Sequence, residues 1–133
     1  MATDKFVVEF VSKYSFEKTV DLLIAEAKQR NWNVPAIHDL QQSLAKSGKM
    51  VKPVTVIEIC KPAYSGNMLE LNDERIMSVM MPCRISVYAK DDGKAHIALV
   101  DGANMSEGQP ENIKKIMKAA SDETFEIVRT TVL

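Results

Sequence analysis

The chain has 133 residues, with 17 basic and 18 acidic side chains and a formal net charge of −1 at pH 7. This balance argues against a nucleic-acid-binding surface, which needs an excess of Lys and Arg, and no apolar run reaches the roughly 18 residues of a membrane span. We expect one domain over residues 1–133 that folds without a disulfide bond or a structural metal ion. The acidic N-terminal segment does not resemble a signal peptide, which favours a cytoplasmic protein with reduced thiols.

The first predicted elements are a strand and a long helix. Residues 5–12 alternate in polarity with the period of a strand, and Glu9 falls on the wetter face. Residues 16–30 carry apolar side chains on one helical stripe, and Ser15 is a suitable N-cap. The pattern therefore predicts an amphipathic helix directly after the first strand.

A weaker strand and a short helix follow. Residues 32–38 predict a strand that Pro35 restricts to a sheet edge or a bulge. Asp39 and Gln42 form a capping-box pattern, which predicts a short helix to about residue 47.

The centre of the chain predicts a third strand and a helical insert. Val54–Cys60 alternates and is ended by the proline at position 62. Residues 64–67 are rich in turn-forming types, so a turn is expected there. Residues 68–81 then predict a loop and a helix that Asn72 would cap.

A hairpin and a C-terminal helix complete the pattern. Cys83–Ala89 and residues 94–100 predict two strands joined at Asp92-Gly93, a strong hairpin signal, and His96 is expected to face solvent. Pro110 suits the first turn of a long helix that Ser121 could interrupt. Strands without regular helical crossovers favour an α+β fold, with a five-stranded antiparallel sheet and the N-terminal and C-terminal helices on one face.

Three motifs resemble the domain-of-unknown-function family 302. They are the segment 36–39 (Ala-Ile-His-Asp), the segment 57–62 (Ile-Glu-Ile-Cys-Lys-Pro) and the segment 81–88 (Met-Pro-Cys-Arg-Ile-Ser-Val-Tyr). The resemblance implies a TATA-box-binding-protein-like α+β fold and a homodimer, but no activity. Where the family pattern usually has Gly-Asn-Pro and Leu-Pro-Leu, this chain has Cys60-Lys61-Pro62 and Met81-Pro82-Cys83.

The only two cysteines stand at strand ends that flank the insert. If Val54–Cys60 and Cys83–Ala89 are antiparallel neighbours, Cys60 and Cys83 meet at one rim of the sheet, although strict alternation could point them to opposite faces. A thiol pair there could form a disulfide, carry a persulfide or offer two soft metal ligands, whereas inert packing is the alternative. Lys61 and Arg84 would lower the pKa of an exposed neighbouring thiol.

The remaining chemistry-bearing residues allow a second interpretation. His38, beside Asp39, could act as a base or simply lie at the surface, and Glu58 and Tyr64 could line a pocket with them. The methionines near the cysteines could form a soft apolar pocket or fill the core. No cofactor and no metal are predicted, since the His and Cys spacing matches no compact zinc module.

The sequence therefore favours a small homodimeric binding or accessory protein, rather than an enzyme, that works through thiol or sulfur-carrier chemistry at Cys60 and Cys83. Its partner would be a small molecule or a sulfur carrier, with no role for nucleic acid or membrane. The rival hypothesis is a non-redox ligand module or enzyme built on His38, Asp39 and Glu58 with structural cysteines.

Overall fold

A computed structural model describes residues 6–133 and confirms the α+β class. Its strands are β1 (Val7–Val11), β2 (Asn33–Asp39), β3 (Val54–Cys60), β4 (Cys83–Ala89) and β5 (Ala95–Val100). Its helices are α1 (Phe16–Gln29), α2 (Leu40–Ala45), α3 (Pro62–Leu69), α4 (Gly102–Met105) and α5 (Glu111–Arg129), with a 3₁₀ helix at Asp73–Met80. The predicted start of the first strand at position 5 lies outside the described residues.

The five strands form one antiparallel sheet in the order β1-β5-β4-β3-β2. β3 and β4, the two strands that flank the predicted helical insert, are direct neighbours, as the hypothesis for the cysteines required. β2 lies at an edge, and its register shifts between Asn33 and Ala36, which confirms the expected effect of Pro35 on ladder pairing. The hairpin between β4 and β5 is also confirmed, with Gly93 at φ 76°.

The core lies between one face of the sheet and the helices. Ile57, Ile85 and Leu99 occupy equivalent positions on three adjacent strands, and all three are buried. Leu23 of α1 and Ile127 of α5 complete the same cluster. Within residues 6–133, no helix combines the length and the apolar character that crossing a lipid bilayer requires.

The predicted turn at residues 64–67 is wrong, because α3 runs through it. Pro62 occupies the first turn of this helix, where its fixed φ is suitable. Tyr64 and Met68, four residues apart, lie on the side of α3 that faces the interior, and Met68 is buried. This packing outweighs the turn propensity of the intervening residues. Asn72 makes no side-chain capping bond, and the helix after it is of the 3₁₀ type.

The predicted interruption near Ser121 is also wrong. α5 continues through this position, and the Ser121 Oγ accepts a hydrogen bond of 3.1 Å from the Gly102 backbone N–H. The hydroxyl is therefore used to attach α4 to α5 rather than to compete with the helix.

His96 is buried, with 5% of its surface exposed, and the expectation that it faces solvent is wrong. Its ring stacks on Tyr88 at a centroid distance of 6.0 Å, and its Nε2 lies 2.8 Å from Asp92 Oδ2. Glu9, expected on a wetter face, is also buried, and it accepts hydrogen bonds from Tyr88 and, at 2.9 Å, from Lys90. The large side chain of Tyr88 excludes water from positions that alternation alone assigns to the surface.

Candidate functional site

A cavity of about 240 Å³ lies where the ends of β3 and β4 meet α3, the 3₁₀ helix and α5. Its walls are mostly apolar, and they contain an unusual concentration of sulfur. The sulfur-bearing residues that line it are Cys60, Cys83, Met68, Met77, Met80, Met81 and Met117. Both cysteines and five of the eight methionines of the chain are therefore gathered in about a sixth of its residues.

The two cysteines reach this cavity in different ways. Cys83 pairs with Ile59 on the core face of the sheet. Cys60 is the last residue of β3, where strict alternation would turn it to the opposite face. Its Sγ nevertheless lies 3.4 Å from the Ser65 Oγ of α3, and Cys60 lines the cavity. Both cysteines are free thiols, and both line this one cavity.

Burial raises the pKa of the Cys83 thiol, and a negative charge on Cys60 would raise it further. The expected lowering by Lys61 and Arg84 applied to an exposed thiol, and Cys83 does not meet that condition. The Lys61 ammonium is instead committed to hydrogen bonds, and the Arg84 guanidinium is directed towards Glu58, with 3.9 Å between Nε and Oε2.

Glu123 of α5 is a polar anchor beside the cavity. Its carboxylate accepts hydrogen bonds from Trp32 Nε1 at 3.1 Å, from Lys61 Nζ at 2.8 Å and from the Tyr64 hydroxyl. Burial raises the pKa of Glu123, but the three donors outweigh it and the net shift is downward. The hydrogen bond to this carboxylate, together with burial, raises the pKa of Tyr64 to about 12, so the phenol stays protonated. This cluster fixes α3, and with it one wall of the cavity, against α5.

The residues of the rival hypothesis do not form one pocket. His38 Nε2 lies 2.7 Å from Glu58 Oε2, so its carboxylate partner is Glu58 and not Asp39. The Asp39 side chain accepts a hydrogen bond from the Gln42 backbone N–H and caps α2. Glu58 and His38 do not line the cavity, whereas Tyr64 does. The structure therefore separates Tyr64 from the other three.

Sequence reasoning missed several residues of this site. Glu123, Ser65 and Met117 had no local motif to mark them, and they reach the cavity region through contacts with distant parts of the chain or through the unexpected helix α3. The one available signal was the concentration of methionines in residues 68–81, which indicated a soft apolar surface.

The donor set of the cavity restricts its chemistry. Among residues 6–133, no group of three or more His, Cys, Asp or Glu side chains is arranged to hold a metal ion. The volume is below the roughly 300–1,000 Å³ of ordinary small-molecule pockets. The site therefore suits a small ligand that prefers sulfur or apolar surroundings.

These features define a class of protein: a two-layer α+β fold with a thiol-containing cavity between the ends of two central strands and the helix layer. The chain belongs to the family described as Domain of unknown function DUF302, whose model matches residues 8–130. It is 25% identical over 118 residues to an uncharacterized protein of Aquifex aeolicus (strain VF5), covering 88% of this chain and 72% of the relative. Its fold is similar to the crystal structure of an uncharacterized conserved DUF302 protein from Bacillus stearothermophilus, with a TM-score of 0.84, 17% identity, and coverage of 95% of this chain and 98% of the other.

Proposed function

We propose that this protein is a thiol-based binding or accessory protein that carries sulfane sulfur on a cysteine inside the cavity. The observation that supports this most directly is that both cysteines of the chain line one small, mostly apolar cavity. A terminal persulfide sulfur would fit such a volume, and the apolar walls would limit its loss to water.

Cys60 is the proposed acceptor. Its Sγ is within 3.4 Å of the Ser65 hydroxyl, which can donate to a thiolate or a persulfide anion, whereas burial disfavours ionisation of Cys83. In loading, the Cys60 thiolate attacks the outer sulfur of a donor persulfide. The new S–S bond leaves sulfur on Cys60, the S–S bond of the donor breaks, and the donor departs as a thiolate.

Cys83 has a second role in this proposal. Its thiolate can attack the Cys60 sulfur of the loaded protein, which releases hydrosulfide and leaves a Cys60–Cys83 disulfide. A reduced dithiol would then restore the two thiols by exchange. Burial raises the pKa of Cys83, which lowers the fraction of its thiolate available for this step at neutral pH.

Sulfur loading can be tested by mass spectrometry. The reduced protein is incubated with inorganic polysulfide, desalted and analysed intact and after digestion. We expect the mass of one added sulfur atom on Cys60, retention of loading in Cys83→Ser, and its loss in Cys60→Ser. An unmodified wild-type protein, or equal loading of the double serine variant, would refute the proposal. Urea denaturation of each variant provides the control for folding.

A homodimer in the cytoplasm completes the proposal. Val54, Val56 and Val100 lie on the sheet face opposite the core, where they are partly or largely exposed, and a second copy could cover them. Two free thiols also suit a reducing compartment. Light scattering after size exclusion should give twice the mass of one chain, and the monomer mass would contradict this part.

A further inference from the structure

We infer that the sulfur-lined cavity is also a binding site for a soft monovalent metal ion, with Cu(I) as the physiological class of ligand. This inference shares the cavity with the proposed function, but it does not depend on persulfide chemistry. It is carried by the methionines, which sulfur transfer does not require.

The first argument is the composition of the walls. Five methionines and two cysteines line the same small cavity, so the thioethers and the thiols face a common space. Methionine can serve as an adaptable filler of irregular cores. Core filling alone, however, would be served equally by leucine and does not account for the coincidence of both sulfur-bearing residue types at one place.

The second argument is the match of the donors to one kind of metal. Soft thiolate and thioether ligands suit Cu(I), whereas a structural Zn²⁺ site takes four Cys, His or carboxylate ligands. Both histidines lie outside the walls, and within residues 6–133 no third Cys, His, Asp or Glu joins the two cysteines in a metal-holding group. Two thiolates with one or more thioethers therefore favour Cu(I) over zinc.

The third argument concerns charge and access. Coordination releases the proton of each thiol to solvent, and the two thiolates with one Cu⁺ leave a single net negative charge. Val79 and Met80 line the same space and are partly or largely exposed on the 3₁₀ helix, which gives an ion a route from solvent.

The test is an anaerobic competition titration of the reduced full chain with Cu(I) against a chromophoric chelator, repeated with Ag(I) as a redox-inert probe. We expect one equivalent of either ion to bind the wild-type protein. Met68 is buried, with 2% exposure, and Met81 lies next to the cis Met81–Pro82 bond ahead of Cys83. Met68→Leu and Met81→Leu keep the apolar volume but remove the thioether, and at least one should weaken binding by roughly tenfold or more.

Matched variants separate the possible outcomes. Met50 is 80% exposed and outside the cavity, so Met50→Leu should bind as the wild type does. The double variant of Cys60 and Cys83 to Ser should bind no ion. Failure of the wild type to compete for Cu(I), undiminished binding by the double serine variant, or no effect of either cavity methionine would each overturn the inference. Polysulfide loading should be unchanged in the methionine variants, so failure of one proposal is distinguishable from failure of the other.

Discussion

Replacing Glu123 by Gln should destabilise the fold by about 2 kcal/mol. Three donors converge on this carboxylate, and its side chain is 21% exposed. A hydrogen bond to a charged group contributes about 1.5–3 kcal/mol, against about 0.5–1.5 kcal/mol for a neutral one. Removing the charge therefore costs about 1 kcal/mol for each of the three bonds, and partial solvation reduces the total to about 2 kcal/mol.

Urea denaturation measures this loss, and the chain contains its own probe. Trp32 is the only tryptophan, and its indole N–H donates to Glu123, so its fluorescence reports both unfolding and the local change. Glu111→Gln is the control, because Glu111 is 90% exposed and its ion pair with Lys114 spans 3.7 Å. Such a pair contributes at most about 0.5 kcal/mol.

The pH dependence gives a second check on the same variant. The pKa of Glu123 is lowered in the folded protein, so its charge stabilises the fold above the ordinary glutamate pKa. That contribution is lost as pH falls through the lowered value, so the difference between wild type and variant should shrink below about pH 4. A loss no larger than that of the Glu111 control, or a gap that persists in acid, would refute the role of this anchor.

Three further predictions concern the thiols, a buried carboxylate and two glycines. In a Cys60→Ser background, the rate of Cys83 alkylation by iodoacetamide should reach half its maximum at a pH above the ordinary thiol pKa of about 8.5. The reason is that burial raises the pKa of Cys83. A midpoint at the ordinary thiol pKa would contradict this effect of burial. Glu9→Gln should lower the free energy of unfolding, measured with urea, by about 1–2 kcal/mol at pH 7 and by little below about pH 4. The reason is that hydrogen bonds lower the pKa of Glu9, so its stabilising charge is lost in acid. A loss that does not depend on pH would count against this role of Glu9. Gly102→Ala should lower the free energy of unfolding by about 1–2 kcal/mol, because its Cβ would lie 3.2 Å from the Met117 carbonyl oxygen. Gly66→Ala meets open space inside α3 and should raise the free energy of unfolding by about 0.5–1 kcal/mol. The melting temperatures of the two variants should therefore shift in opposite directions.

The architecture could be predicted because it depends on local patterns. Alternation and the Asp92-Gly93 turn located β4 and β5, and the position of Pro35 located the irregular edge strand. α3 was missed because Gly66 and its neighbours have turn propensity, and only the packing of Met68 against the interior decides for a helix.

The polar anchors could not be predicted in the same way. Glu123 is 59 positions from Tyr64 and 91 from Trp32, and nothing near it in the sequence distinguishes it from other acidic residues of an exposed helix face. Alternation of polarity predicts that His96 faces solvent, but the pattern cannot show that the ring of Tyr88 stacks on it. The proximity of Cys60 and Cys83 followed from strand order, but the contact of Cys60 with Ser65 depends on helix α3, which the sequence did not predict.

The pairing of β1 with β5 has a consequence for how the chain is made. Val7 pairs in register with Val100, so β1 lacks its neighbour in the sheet until more than ninety further residues have been synthesised. During that interval its valines and Phe10 are open to other surfaces, and sequence-distant pairing of this kind slows folding. We therefore expect the nascent chain to expose these apolar side chains for longer than a sheet whose neighbouring strands are consecutive in the sequence.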